Sequence, residues 1–170
     1  MSEPVMLFKK PSYPINPSLL DYLERFDRIS KVPISYDDLL RFSGSINVYD
    51  KNEHDTLWIR VYYNEFERNE IDLTLKKIYS LLHSDGNLGI IKFLNVDSID
   101  YCTFGNSKPF RIKVRNILND NYTHFYIKKA DASRVYGLEL EHILSPDKIN
   151  FLVYQDTLIE EHIMGIPGDV

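Results

Sequence analysis

The chain has 170 residues, of which 44% are hydrophobic, 26% charged and only 7 glycine, and its formal net charge is −5. A chain of this length buries about 70% of its unfolded surface, so a hydrophobic core can hold it folded, and the composition excludes disordered and collagen-like classes. The acidic balance disfavours nucleic acid as a partner, because phosphate binding needs clustered cationic side chains.

The single cysteine, Cys102, allows neither an intrachain disulfide nor a cysteine-rich zinc site. The five histidines lack the spacing typical of metal ligands, so we predict no metal site on the protein. Every apolar run is shorter than the roughly 18 residues that a membrane span requires, and residues 1–14 lack the apolar core of a signal peptide. We therefore expect a cytoplasmic protein without a membrane partner.

Residues 1–14 contain three prolines and little periodicity, and they are predicted to form an N-terminal arm. The stretch "NPSLLDYLERFDRI" then predicts a helix with Asn16 as its cap and Pro17 at its first position. The stretch "SYDDLLRF" repeats this pattern, with Ser35 as the cap and aspartates in the first turn. The buried side of the first helix is expected to consist of Leu19, Leu20, Tyr22, Leu23 and Phe26.

The stretches "SINVYD" and "TLWIRVYYN" are rich in β-formers and are separated by the turn "KNEHD", which predicts a β-hairpin. Alternate positions of its second strand, Trp58, Arg60 and Tyr62, would share one face. A helix over "EIDLTLKKIYSLLHSDG" and a strand over "LGIIKFLNV" follow. These elements define a predicted N-terminal α+β unit that spans residues 15–96.

Residues 97–170 alternate short β-type stretches with tight turns. We predict three strands over "SIDYCTF", "FRIKVRNI" and "YTHFYIKK", then a helix over "DASRVYGLELEHIL" that begins at Asp131. The stretch "INFLVYQDTLIEEHI" predicts two further strands that meet at the turn "QD". The order βββαββ indicates a five-stranded antiparallel sheet with one helix, and the fold class expected for the chain is α+β.

The nearest approach to a basic patch lies in the second of these strands. Arg111, Lys113 and Arg115 would share one of its faces, because residues two positions apart in a strand point the same way. Two interpretations are open at this point: a solvated strand face, or a face that binds an anion.

Three stretches of the second part stand in a particular order: "TFGNSKPFRIKV" at 103–114, "FYIKK" at 125–129 and "LIEEHIMGIPGD" at 158–169. With the order βββαββ, they resemble the nucleotide-binding lobe of the protein-kinase-like fold, and most of all its aminoglycoside and choline phosphotransferase branch. The resemblance covers residues 98–169. The first stretch has one glycine where that family usually has two or three, and Glu160 is unusual at its position. Without the resemblance, the three stretches are a β-turn, an exposed strand end and an apolar strand.

The resemblance implies a site for ATP with magnesium. Lys128 would hold the α- and β-phosphates, and Glu139 on the following helix would fix its ammonium group, with Glu141 as the reserve. The turn around Gly105 would cover the phosphates with exposed backbone N–H groups. The implied nucleotide-binding residues are Gly105, Asn106, Ser107, Lys128, Glu139, Glu161, His162 and Ile163, of which the last three would hold the adenine through their main chain.

The family's catalytic loop and its metal-binding aspartate motif have no counterpart in these 170 residues. The resemblance therefore implies a lobe that binds a nucleotide but is inactive by itself, either as part of a longer protein or with a second lobe supplied by a partner protein. An alternative stays open: a non-catalytic adaptor that binds a partner through an aromatic and acidic surface. The 12 tyrosines and 9 phenylalanines favour it, because exposed aromatic residues are enriched at interfaces.

Overall fold

The computed structural model of the chain describes residues 12–83, 87–144 and 150–161. Within these ranges the fold is a seven-stranded antiparallel sheet flanked by helices, which confirms the predicted α+β class. The strands are β1 Gly44–Tyr49, β2 Asp55–Tyr62, β3 Leu94–Cys102, β4 Phe110–Asn116, β5 Tyr122–Lys129, β6 Phe151–Tyr154 and β7 Thr157–Glu161. The α-helices are α1 Pro17–Arg25, α2 Tyr36–Leu39, α3 Glu65–His83 and α4 Ala132–Leu144, and a 3-10 helix covers Leu88–Phe93.

The starts of the first two helices are as the sequence predicts. The Asn16 side chain accepts a hydrogen bond from the Leu19 N–H at 2.8 Å, and the Ser35 hydroxyl accepts one from Asp38. The predicted buried side of α1 is too wide, however. Leu19 and Leu23 are buried, whereas Leu20 and Phe26 are 41% and 48% exposed, because this nine-residue helix packs on the fold along a narrow strip.

Helix α3 is the longest helix among the described residues and packs across the sheet. Leu75, Ile78 and Leu82 are buried, while the exposed side of the helix carries charged side chains together with Phe66 and Leu73. This mixture follows from the 3.6-residue period of an amphipathic helix. In the part of the chain that the structure describes, no helix is both long and apolar enough to cross a membrane.

The strand order is β1-β2-β3-β4-β5-β7-β6, and every neighbouring pair is antiparallel. The expectation of five strands is corrected to seven, because the hairpin β1–β2 joins the same sheet through pairing of Arg60 with Asp100. The predicted strand at 88–96 is a 3-10 helix followed by the start of β3. The proposed boundary at residues 96 and 97 thus lies inside β3, and both parts of the chain share one sheet.

Hydrophobic cores lie on both faces of the sheet. On one face, α2 and α3 pack over the middle strands, with Phe110 and Phe125 fully buried at the centre. On the other face, α1 and α4 pack over the edge formed by β7 and β6. The second core consists of Leu19, Leu23, Ala130, Ala132, Val135, Leu138, Phe151, Val153 and Leu158. Lys128 and Glu160 belong to the face with α1 and α4.

Candidate functional site

Lys128 lies near the end of β5, where strand alternation directs its side chain away from the core that buries Phe125 and Ile127. Its ammonium group lies 2.8 Å from Oε2 of Glu160 on the neighbouring strand β7. Arg134, from the first turns of α4, donates to both oxygens of the same carboxylate. Two cations from different elements therefore converge on one acid.

The carboxylate of this cluster is hidden and its cations are accessible. The Glu160 side chain is 4% exposed, whereas those of Lys128 and Arg134 are 20% and 44% exposed. Burial alone would raise the pKa of Glu160, but the hydrogen bonds and charges of Arg134 and Lys128 lower it below its ordinary value. The cluster keeps an ionised carboxylate beneath two cations and presents a net positive charge to solvent.

The resemblance implied that Glu139 contacts Lys128. In the structure, Glu139 pairs with a different cation. Its Oε2 accepts from Arg28 Nε at 2.9 Å, and its Oε1 accepts from the Tyr22 hydroxyl at 3.2 Å. The reason is orientation: this side of α4 faces α1 and the segment after it, whereas β7 lies directly beside β5. Glu141, the reserve candidate, is exposed on α4. The carboxylate that fixes Lys128 is therefore a strand residue.

The turn at 103–109 connects β3 to β4 and contains the predicted phosphate-covering residues Gly105, Asn106 and Ser107, all exposed. Gly105 has φ 88°, a left-handed conformation that favours glycine over residues with side chains. Because Phe110 pairs with Ile127, this turn lies at the same end of the sheet as Lys128. The structure thus brings the predicted turn and the predicted lysine to one end.

The predicted adenine-binding residues are placed less favourably. The side chain of Glu161 lies on the opposite face of the sheet from Lys128, where it accepts from the Asn150 N–H at 2.8 Å and lies near His83 of α3. Its own backbone N–H donates to the Asn150 carbonyl at 3.1 Å. Burial lowers the pKa of His83, against the opposing effect of Glu161. His162 and Ile163 lie outside the described residues.

A second buried carboxylate lies on the same row of the sheet. Asp100 is directly opposite Arg60 on one side and Arg111 on the other, and the row continues through Tyr126 to Glu160. Arg60 Nε donates to Asp100 at 2.9 Å and Arg111 Nη2 at 3.2 Å. The Asp100 side chain is 3% exposed. The row therefore repeats one arrangement, a buried acid beneath two cations.

The basic face predicted for β4 exists, since Arg111, Lys113 and Arg115 alternate with buried residues. Their surroundings differ. The Arg111 guanidinium stacks on the Trp58 ring at 4.2 Å, and the Lys113 ammonium lies 4.2 Å from the centre of the Tyr122 ring. Arg115 forms ion pairs with Asp97 and Asp120, so its charge is more than balanced.

Sequence reasoning missed the acids and arginines that complete these clusters. From the sequence, Glu160 stood out only as unusual at its position. Strand alternation in β7 showed that its side chain lies on one face of the sheet, but not which face. Arg134 and Arg28 gave no local signal, because each reaches its partner across more than twenty residues of sequence. The pairing of Arg60 with Asp100 would have required knowing that the hairpin joins the sheet.

Within 12–83, 87–144 and 150–161, no group of three or more histidine, cysteine or acidic side chains is arranged to hold a metal ion. Comparison of the chain with protein-family models, with curated proteins and with solved structures found no match. The chemistry of the site therefore has to be inferred from its own residues. Lys128 and Arg134, fixed by an ionised carboxylate, form a pair of donors suited to phosphate oxygens.

Proposed function

We propose that this chain is a nucleotide-binding lobe of the kinase-like phosphotransferase type, and that it binds ATP with magnesium through Lys128. The observation that carries the proposal is the contact of Lys128 with the buried carboxylate of Glu160 at 2.8 Å. A lysine already held by a carboxylate loses less side-chain entropy when it meets a phosphate.

Two further features support the same ligand. Arg134 adds a second cation at the same carboxylate, and arginine matches phosphate geometry with paired donors. The turn around Gly105, at the same end of the sheet, has the exposed backbone that the resemblance assigns to a phosphate cover. Magnesium would be held mainly by the phosphate oxygens of the nucleotide, as is usual for this small cation.

The role of these residues is to bind and orient the nucleotide. ATP supplies a transferable phosphoryl group when it is bound. Lys128 and Arg134 would neutralise its phosphate charge, while Glu160 would keep both cations in place. The acceptor of the phosphoryl group, and the groups that would activate it, are implied by the family resemblance alone.

Calorimetric titration of the full chain with magnesium and ATP tests this proposal. We expect saturable binding that is weakened about tenfold or more in Lys128→Ala, since a lost charge-assisted contact of about 1.4 kcal/mol gives that factor. The matched control is Lys129→Ala. Lys129 is the next residue, and its ammonium is held elsewhere, 2.7 Å from both Asp37 and Asp156.

Thermal unfolding of each variant would establish that it is folded before its affinity is compared. Equal weakening in Lys128→Ala and Lys129→Ala would show that general charge, rather than the Glu160 cluster, attracts the nucleotide. An absence of heat up to about 1 mM ATP, a concentration that corresponds to roughly 4 kcal/mol of binding, would overturn the proposal.

A second candidate function is an adaptor that binds a partner protein. It is favoured by a stripe of large apolar side chains on α4 beside α1, where Tyr136, Leu140 and Ile143 are 54%, 56% and 67% exposed. Their spacing of four and three residues places them on one side of the helix. Neither candidate excludes the other, since this stripe points away from the core that α4 covers.

A further inference from the structure

The face of the sheet that carries Glu160 has a second region, formed by β2, β3 and β4, which we call the open half. The helices on this face, α1 and α4, contribute their buried residues to the core over β7 and β6. Among the described residues, no hydrophobic core lies over the open half on this side. Its side chains are charged and aromatic instead, and they include Trp58, Arg60, Arg111 and Lys113.

The open half has more positive than negative charge. Arg60 and Arg111 share the single buried carboxylate of Asp100, so one of the two guanidinium charges is uncompensated. Lys113 adds a further cation, whose ammonium lies over the ring of Tyr122. This concentration contrasts with the net charge of −5 of the whole chain.

Arg111 is also incompletely satisfied. Its Nη2 donates to Asp100, but its Nε is buried without an acceptor among the described residues. The Arg111 side chain is 14% exposed, and its guanidinium carbon lies 4.2 Å from the centre of the Trp58 ring. Because the unpaired Nε is itself buried, a ligand would reach Arg111 through the exposed part of its guanidinium group.

The spacing of the cations suits a short extended chain. Arg60, Asp100 and Arg111 are directly opposite one another on neighbouring strands, which are about 4.8 Å apart. The backbones at Arg60 and Arg111 are thus about 10 Å apart, but the Nη2 atoms of both side chains donate to the same oxygen of Asp100, at 3.3 and 3.2 Å, so their two charges converge. Lys113 lies two positions, or about 7 Å, from Arg111 along β4, and this is the spacing of alternate residues in an extended peptide.

We propose that the open half binds an acidic, extended segment of a partner protein, whose carboxylates pair with Arg60, Arg111 and Lys113. Trp58 and Tyr122 supply flat apolar area beside these contacts. Charge complementarity selects an acidic partner. The small extent of the positive region favours a short peptide over a long nucleic acid, because Asp97 and Asp120 around Arg115 border it and the whole chain is acidic.

Trp58 is the only tryptophan of the chain, so its fluorescence reports on the open half directly. The full chain would be titrated with a synthetic oligoglutamate peptide at low and at moderate salt. We expect a saturable change in fluorescence and a weaker affinity at the higher salt concentration. Lys113→Ala and Arg60→Gln are each expected to weaken the peptide about three- to tenfold.

Arg115→Gln is the matched control, because it removes the same charge from the same face of the same strand as Lys113→Ala. Since Arg115 is already paired with two carboxylates, we expect its loss to change the affinity less than about twofold. Equal weakening by Arg115→Gln and Lys113→Ala would overturn the proposal, as would an absence of binding. Tighter binding of oligothymidylate than of oligoglutamate would also overturn it and would assign the surface to nucleic acid. Circular dichroism would confirm that each variant is folded.

Discussion

The two halves of the face that carries Glu160 are built from the same alternating strands, yet they differ in what covers them. Over β7 and β6, the helices α1 and α4 bury Leu158, Phe151 and Val153. Over β2, β3 and β4, the equivalent positions hold the Arg60, Asp100 and Arg111 cluster. Strand alternation therefore decides which face a residue occupies, and the presence of a helix decides whether that residue belongs to a core.

The comparison also separates two ways of pairing a buried carboxylate with cations. Asp100 takes both of its cations from directly opposite residues on neighbouring strands, whereas Glu160 takes one from a strand and one from α4. Each acid is nearly inaccessible, and each supports cations that reach solvent. The open half thus resembles the half over β7 and β6, which we call the covered half, in its electrostatics and differs from it in its packing.

The largest expected effect is on stability in the covered half. Leu158→Ala removes a fully buried side chain and should lower the free energy of unfolding by about 2 to 5 kcal/mol, through lost burial and the cavity that remains. The control is Ile46→Ala on β1, which borders the open half. Ile46 lies opposite Arg60 in the same row but is 55% exposed, so the expected change is within about 0.5 kcal/mol. Equal losses in chemical denaturation would remove the distinction between the halves.

A smaller effect is expected from the acid of the open half. Asp100→Asn should destabilise the fold by about 1 to 3 kcal/mol, because it weakens hydrogen bonds from two arginines while Arg60 can still reach water. Asp38→Asn is the control, since the Asp38 pair with Arg41 is mostly exposed and is expected to contribute little. Urea denaturation at neutral pH measures both. If the two variants were equally stable, the Asp100 cluster would be no more than a surface ion pair.

The smallest effect concerns pH and the acid of the covered half. Burial would raise the pKa of Glu160, but Arg134 and Lys128 hold that pKa below its ordinary value of 4.5. Such a group contributes stability that is fully present above pH 4.5, and this contribution is lost as the pH falls toward the lowered pKa, because the unfolded chain binds the proton first. Glu160→Gln should therefore flatten the fall in unfolding free energy that begins as the pH drops below 4.5. If the unfolding free energy of Glu160→Gln fell as steeply with pH as that of the unaltered chain, other carboxylates would be the cause of the fall.

The sequence allowed most of the secondary structure to be predicted, because the signals are local. Asn16 and Ser35 identify helix starts, and the turn at Gln155 and Asp156 separates β6 from β7. The number of strands in the sheet was wrong because the pairing of β2 with β3 joins segments about forty residues apart. Nothing in the stretch around Arg60 specifies which strand it will meet.

The site could be predicted in part for the same reason. The position of Lys128 at the end of β5, near the turn that contains Gly105, follows from local patterns and from the hairpin between β4 and β5. Its partner did not follow, because the choice between Glu139 and Glu160 depends on how α4 is rotated over the sheet. A helix rotation is set by packing against α1, which is a tertiary contact.

The location of Glu160 on a strand has a consequence for control of the site. The separation of Lys128 and Glu160 is set by the backbone ladder between β5 and β7, and this ladder does not depend on where α4 sits. An outward displacement of α4 would withdraw Arg134 and leave the lysine pair intact. The position of Lys128 is therefore set by the sheet alone, and Arg134 is the member of the cluster whose position depends on α4.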